Sequence, residues 1–565
     1  MARLWCGLVA VSLGVALIVV DLTIVNVLLA PVIEDLGIDS TEAQWVQESY
    51  AIVFAALLLL AGRLSDLYGA RRVFLLGLAV FGVTSLGAAL APDGGTLILA
   101  RFVQGVGGAM ILPSSLALVN ASFTGRARGQ AFAVWGSTIG AAAAVGPLLG
   151  GWLADFSWRW AFALNIPAVA LIAVAARACL HASPRTRGRV DVRSAALSAA
   201  GLGLLSFALV EGRTYGWLAS VEPLSVGGVT WDGGPSPVLV ALLLAAAVLA
   251  TFWRRQSALR RRGAEPLMDV GLFAIPSFRN GNAVTLIVGL GEFGIVAVLP
   301  LWLQFTLGYS AFEAGLALVA LAVGSFCASG AGFAMAATVP PLGQVRLGLV
   351  LEAAGLTVLG LCAATDSAWW PVAGALFVYG VGVGFATAQV TNVVLAEVPG
   401  ERAGQGSGIQ SASRELGSAL GIAVLTTLFF STLGTSLRDR LTDTGTPEAE
   451  AAHLSGAVTD SAGAAIPSLA EGPGGARAAD AAREAMTTGL EAASCVCAGL
   501  LLLALAATWS LTPRTEKKAG QGLPRAPEAS GARGTARATT HHPRSATQQA
   551  GQPLPSPETG APDTA

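Results

Sequence analysis

Fourteen long apolar runs decide what this chain can fold into. A helix needs about 20 mostly apolar residues to cross the hydrocarbon of a bilayer. Runs of that order lie near 5–29, 44–62, 73–91, 95–119, 129–152, 161–180, 193–211 and 237–254. The rest lie near 281–306, 312–333, 347–365, 369–396, 404–432 and 489–510. The tenth run is open at its far end, where it extends toward Val339. Only 12% of the 565 residues are charged and 54% are hydrophobic, whereas soluble domains carry roughly 25% charged residues. Too little polar surface remains to cover a body in water. Every backbone polar group in lipid must be satisfied internally, which selects helices for runs of this length. The expected class is an all-α integral membrane protein with 14 transmembrane helices, and the 69 glycines suit close helix packing there.

Arginine placement sets the orientation. With an even number of spans both ends lie on one side. Short loops on that side hold Arg63, Arg71, Arg72, Arg126, Arg128, Arg185, Arg187, Arg189, Arg254, Arg255, Arg260, Arg261, Arg262 and Arg279. The other side holds Arg159, Arg213 and four arginines in one long loop, which count little. Both termini are therefore expected in the cytoplasm, and the first run is read as an uncleaved helix. Residues 213–236 and 433–488 are outside loops, the larger one with room for helix. Residues 512–565, rich in Pro, Ala, Gly, Ser and Thr, are expected to be a disordered cytoplasmic tail. Lysine occurs only at Lys517 and Lys518, a bias that fits a GC-rich bacterial genome. Scattered basic residues with no stripe argue against nucleic acid as a partner. The six cysteines fall in or beside apolar runs and read as small apolar residues, so no metal site is expected. His181, His453, His541 and His542 all lie in segments read as aqueous, which leaves carboxylates as the intramembrane titratable groups.

Five stretches carry more than packing. Span one contains Asp21-Leu-Thr23-Ile-Val-Asn26. After span two comes Gly62-Arg-Leu-Ser-Asp66-Leu-Tyr-Gly69-Ala-Arg71-Arg72, whose glycines permit a tight turn and whose aspartate suits helix N-termini. Span four places Arg101 and Gln104 on one helix face, and an arginine at that depth marks a functional site by default. Span five reads Gly146-Pro147-Leu-Leu-Gly150-Gly151, a small-residue face with a bend. Span six opens on Trp158-Arg159-Trp160-Ala-Phe162-Ala-Leu-Asn165-Ile-Pro167. In order and position these resemble the signature motifs of the major facilitator superfamily, and the first and last resemble its fourteen-span drug:proton antiporter branch, the EmrB/QacA type. Glu211-Gly212, Pro300-Leu-Trp302-Leu-Gln304 and Ala403-Gly404-Gln-Gly406-Ser-Gly408 agree. The resemblance covers about residues 10–430.

That resemblance implies two six-helix bundles, 1–190 and 281–511, with an inserted pair of helices and a linker over 191–280. The halves would rock about a central cavity, with the Asp66 motif as a cytoplasmic gate latch and the Gly146-Pro147 motif associated with exporters. The matching second-half loop near 334–346 has Arg346 but no Gly-x-x-x-Asp, so the latch is expected to be asymmetric. It further implies a proton-coupled antiporter that exports drugs, antibiotics or other amphipathic molecules across a bacterial cytoplasmic membrane. An exporter of an endogenous metabolite, or an importer of the same fold, is the alternative. No enzyme activity and no cofactor is expected, the proton gradient supplying the energy. The partners are protons, lipid and a hydrophobic or cationic small molecule, with the monomer as the working unit. Candidate proton carriers are Asp21, paired with Arg101, Glu292, which could instead bind a cationic substrate, and Glu352; Glu211 and Glu415 lie nearer span ends. Glu352, placed close to the inner end of span eleven, reads equally as a snorkelling carboxylate. Asn26, Gln104, Trp302, Gln304 and Phe305 are the expected cavity residues.

Overall fold

The computed structural model describes residues 2–511 apart from 39, 155, 182, 184, 227–228, 337 and 472–474. The expected tail, 512–565, lies outside the described residues. In chain order the helices are α1 (Ala2–Leu36), α2 (Ser40–Tyr68), α3 (Ala70–Ala89), α4 (Gly94–Ser122), α5 (Gly125–Ala154), α6 (Arg159–Ala163) and α7 (Asn165–Cys179). Next come α8 (Val192–Val210) and α9 (Pro237–Arg261), with a short hairpin of β1 (Leu224–Val226) and β2 (Val229–Trp231) between them. The remainder are α10 (Pro276–Phe305), α11 (Ala311–Met335), α12 (Pro341–Cys362), α13 (Trp369–Leu395), α14 (Ala403–Asp443), α15 (Glu448–Asp460), α16 (Ile466–Leu469) and α17 (Gly475–Ala507).

Among the described residues, thirteen helices are long and apolar enough to cross a membrane, counting α6 and α7 as one broken span. Helix α5, thirty residues long, has the length of a fourteenth. Large apolar side chains point outward from the body, such as Leu171, Val174, Phe326 and Leu361. Such an apolar outer surface requires lipid as its solvent.

Local chemistry sets the helix ends. Asp93 accepts the Thr96 N–H (2.8 Å) and starts α4, and Ser310 with Glu313 forms a capping box on α11. Ser236 followed by Pro237 starts α9, and Pro276 and Pro341 sit in the first turns of α10 and α12. Helix α11 stops at Met335, short of Val339, because Pro340 and Pro341 open the next helix. The expected outside loop 433–488 is largely helical: α14 runs on to Asp443, α15 and α16 follow, and α17 begins at Gly475. Helix α8, from the inserted pair, packs on both α2 and α14.

Candidate functional site

At the Asp66 end, α2 meets the start of α14. The Asp66 carboxylate accepts the backbone N–H of Gly404 (2.6 Å) and of Gln405 (2.9 Å). Those are among the N–H groups that a helix N-terminus leaves without partners inside the helix. The approach is close: a Cβ on Gly62 would sit 2.9 Å from Gly408 Cα. Arg63 is ion-paired with Glu265, and Asp269 is ion-paired with Arg402 while its own N–H reaches Gln405 Oε1 (2.8 Å). Gly69 takes φ +91°, which glycine adopts freely, and Arg71 Nη2 donates to the Arg177 carbonyl (2.7 Å). Arg72 carries its charge at the start of α3. Nearby, Arg128 donates to the Asn392 carbonyl (3.0 Å) and Gln389 to the Gly129 carbonyl (3.2 Å). Among the described residues, the hydrogen bonds that join α1–α7 to α10–α17 thus gather at this end. Arg346 instead donates to Thr508 (3.0 Å), inside the second helix set.

Deep inside the first set, four helices converge on Asp21. Its carboxylate is ion-paired with Arg101 and both side chains are sealed from solvent. Gln104 Nε2 donates to Asp21 Oδ1 (2.9 Å) and Ser85 Oγ (2.9 Å), and Asn165 Nδ2 donates to the same Asp21 oxygen (3.0 Å). Arg101 also donates to Gln104 Oε1 (2.9 Å) and the Val46 carbonyl (3.1 Å), with its guanidinium 4.5 Å from the Tyr50 ring centre. The stretch opening span six holds α1 at two heights. Asn165 binds Asp21 midway, while Trp158 donates to Asp35 (3.0 Å) and Arg159 is ion-paired with it at the helix end. The hydrogen bond from Arg159 holds the Asp35 carboxyl below its ordinary range. Helix α5 lies against the same part of α1, where a Cβ on Gly146 would come 2.9 Å from Thr23 Cβ. Gly150 is buried and Gly151 is half-buried on the same helix. The side chains of Asn26 and Pro147 lie outside the described residues.

In the second set, Glu292 accepts from Arg414 Nη2 (3.1 and 3.2 Å) and from Thr387 (3.3 Å). Arg414 was not singled out in the sequence, although an arginine within span thirteen obeys the same rule as Arg101. Glu352 corrects an expectation. Helix α12 begins at Pro341, so this residue sits midway along it, fully buried, and does not snorkel. Trp302 is buried and donates to Thr487 on α17 (3.0 Å), which places it in the packing of the second set. Gln304 donates to the Pro300 carbonyl (3.2 Å) of its own helix, and Phe305 is half-buried near Gly463.

An open apolar cleft of about 310 Å³ lies between α1, α5 and α6–α7. Its walls include Leu13, Val20, Leu149, Leu164 and Leu171, and among the described residues Asn165 is the one polar lining residue. The cleft therefore ends on a side chain that hydrogen-bonds Asp21.

Residues 11–422 match the Major Facilitator Superfamily. The chain is 33% identical over 445 residues to a probable actinorhodin transporter of Streptomyces coelicolor, covering 77% of this chain and 74% of that one. It is 35% identical over 438 residues to the puromycin resistance protein pur8 of Streptomyces alboniger (75% and 82% covered). A cephamycin export protein of Amycolatopsis lactamdurans is 34% identical over 436 residues (73% and 82% covered). Among solved structures, the human organic anion transporter MFSD10 superposes with a TM-score of 0.55 at 16% identity, covering 90% of this chain and 99% of that one. The proton:xylose symporter XylE gives 0.51 at 14% identity (83% and 96% covered), and at such identities the likeness concerns the fold. With a family match over most of its length and antibiotic exporters among its relatives, the chain belongs to the Major Facilitator Superfamily.

Proposed function

We propose that the protein is a proton-coupled antiporter that exports antibiotics or other amphipathic small molecules across the bacterial cytoplasmic membrane by alternating access. The buried Asp21–Arg101 pair carries this reading. An intramembrane ion pair is costly and marks ion or proton pathways. Here the carboxylate is compensated by one guanidinium and two amide donors. Protonation of Asp21 would cancel the charge that holds Arg101, Gln104 and Asn165 together, loosening α1 from α4 and α7. Burial against α5 through Gly146 links that loosening to the helix that also packs on α11 and α13 of the other set. One proton moved through 100 mV is worth about 2.3 kcal/mol, before any chemical gradient is counted.

In this reading the Asp66 end faces the cytoplasm, both termini lie there, and the present conformation is closed on that side. The units 1–190 and 281–511 are the rocking bundles, and 191–280 is the inserted pair with its linker. The monomer is the working unit. The names of the relatives support a drug-like substrate, and they divide between one compound, as in puromycin resistance, and several, as in the multidrug resistance protein Stp of Mycobacterium tuberculosis. The apolar cleft with a single polar contact favours a hydrophobic molecule entering from the lipid.

A susceptibility panel in an efflux-deficient host identifies the substrate. Purified protein in proteoliposomes then reports the coupling through an internal pH dye. Adding substrate against its gradient should move protons in the opposite direction. Substrate movement without proton movement contradicts antiport, and co-directional movement indicates an importer.

A further inference from the structure

Glu352 is fully buried midway along α12, and neither carboxyl oxygen has a hydrogen-bond partner. Helix α13 packs directly over it, since a Cβ on Gly382 would come 2.7 Å from Glu352 Cγ. From α13, Tyr379 donates to the carbonyls of Gly291 and Glu292 (both 3.3 Å). From α17, Cys497 lies 3.5 Å from the Gly291 carbonyl. The titratable groups gathered here are thus Glu352, Tyr379, Cys497 and Glu292. Arg414 is committed to Glu292, and Arg346 on α12 turns away to Thr508 and the Trp509 ring. Glu491 of α17 lies toward the far end of α12, beside Gly360.

The first helix set supplies a control. Its first, third, fourth and sixth spans contribute Asp21, Ser85, Arg101 with Gln104, and Asn165, which satisfy one another. The same four spans of the second set contribute Glu292, Glu352, Tyr379 and Cys497. There the third span carries a carboxyl with no counter-charge. A carboxylate in the bilayer interior without partners is costly, and packing alone is better served by an apolar residue of that size. An uncharged acid avoids most of that cost.

We propose that Glu352 is a second proton-binding site of the transport cycle, carrying its proton while the Asp66 end is closed. When that end opens, the carboxyl O–H bond breaks, the proton passes to cytoplasmic water and a carboxylate is left behind. The proposal rests on the antiport reading for its use of that proton, but the protonation state itself does not.

Infrared spectroscopy of the purified full chain in nanodiscs at neutral pH tests it without a substrate. The wild type should show a protonated carboxyl C=O band that disappears in Glu352→Gln and persists in Glu292→Gln. Should Glu352→Gln fold poorly, Glu352→Asp should shift the same band. Asp66→Ala, which frees the closed end, should weaken the band. A wild-type spectrum matching that of Glu352→Gln would overturn the proposal, as would a band indifferent to Asp66→Ala. In proteoliposomes, losing one coupled proton should lower the steady substrate gradient about tenfold per pH unit. Absence of any substrate-driven proton flux in the wild type would refute antiport and leave the infrared result standing.

Discussion

Asp66 joins two helices that are more than three hundred residues apart in the chain, through two backbone N–H groups of α14. Replacing it with alanine removes charge-assisted hydrogen bonds at a buried position, at a cost of about 2 kcal/mol. That corresponds to roughly a thirtyfold shift toward the conformation open at this end. Accessibility of a cysteine placed at Ser407, fully buried in the closed conformation, should rise in Asp66→Ala when read by a membrane-permeant maleimide. An unchanged labelling rate would mean that the aspartate does not hold the ends together. The aspartate was legible as a residue suited to a helix N-terminus, but its partner was not, because a sequence window contains no long-range pairing. Asp21 and Arg101 were legible for a different reason: charge at that depth demands a partner. Arg414 obeys the same rule and was passed over beside Glu415. Glu352 was misplaced because the apolar run begins near 347, while Pro341 starts the helix about two turns earlier.

Helix α1 is the element on which the site depends, and the stretch 158–165 grips it twice. At its end, the hydrogen bond from Arg159 keeps Asp35 ionised below the usual carboxylate range. A depressed carboxyl stabilises the fold above its unfolded pKa, and the contribution is lost as pH falls through about 4 and below. Thermal unfolding in detergent should therefore show a destabilisation on acidification that Asp35→Asn reduces. Equal acid sensitivity in both proteins would contradict it. Midway along, α5 approaches through Gly146. Valine there overpacks the contact with Thr23, costing about 1–3 kcal/mol, and should lower both melting temperature and export, with Thr23→Gly restoring part of each. A Gly146→Val protein that melts and exports like the wild type would remove the packing argument. The order of the spanning elements was legible from apolar run length alone, though helix ends such as Pro341 were not. Room for helix within 433–488 was legible, but the bounds of those helices were not, because their alanine-rich, partly charged faces lack the signal that lipid imposes.

For the whole molecule, the account requires the Asp66 end to open and close. A Cβ on Gly129 would lie 3.9 Å from Ala336 Cβ, within the span of about 3.5–4.5 Å that a disulfide bridges. With the six native cysteines replaced, a Gly129→Cys, Ala336→Cys pair should stop transport when oxidised and recover it on reduction. Full transport by the oxidised protein would exclude alternating access through this end. The family fold was legible from the motifs, whereas the contact of α2 with the start of α14 appears only in the structure. The most direct measurement is export driven by an imposed pH gradient in inverted vesicles, comparing the wild type with Asp21→Asn at matched protein level and melting temperature. The account predicts that the variant folds, inserts and loses gradient-driven export. An unchanged rate in the variant would contradict it, leaving Asp21–Arg101 as a static brace between helices.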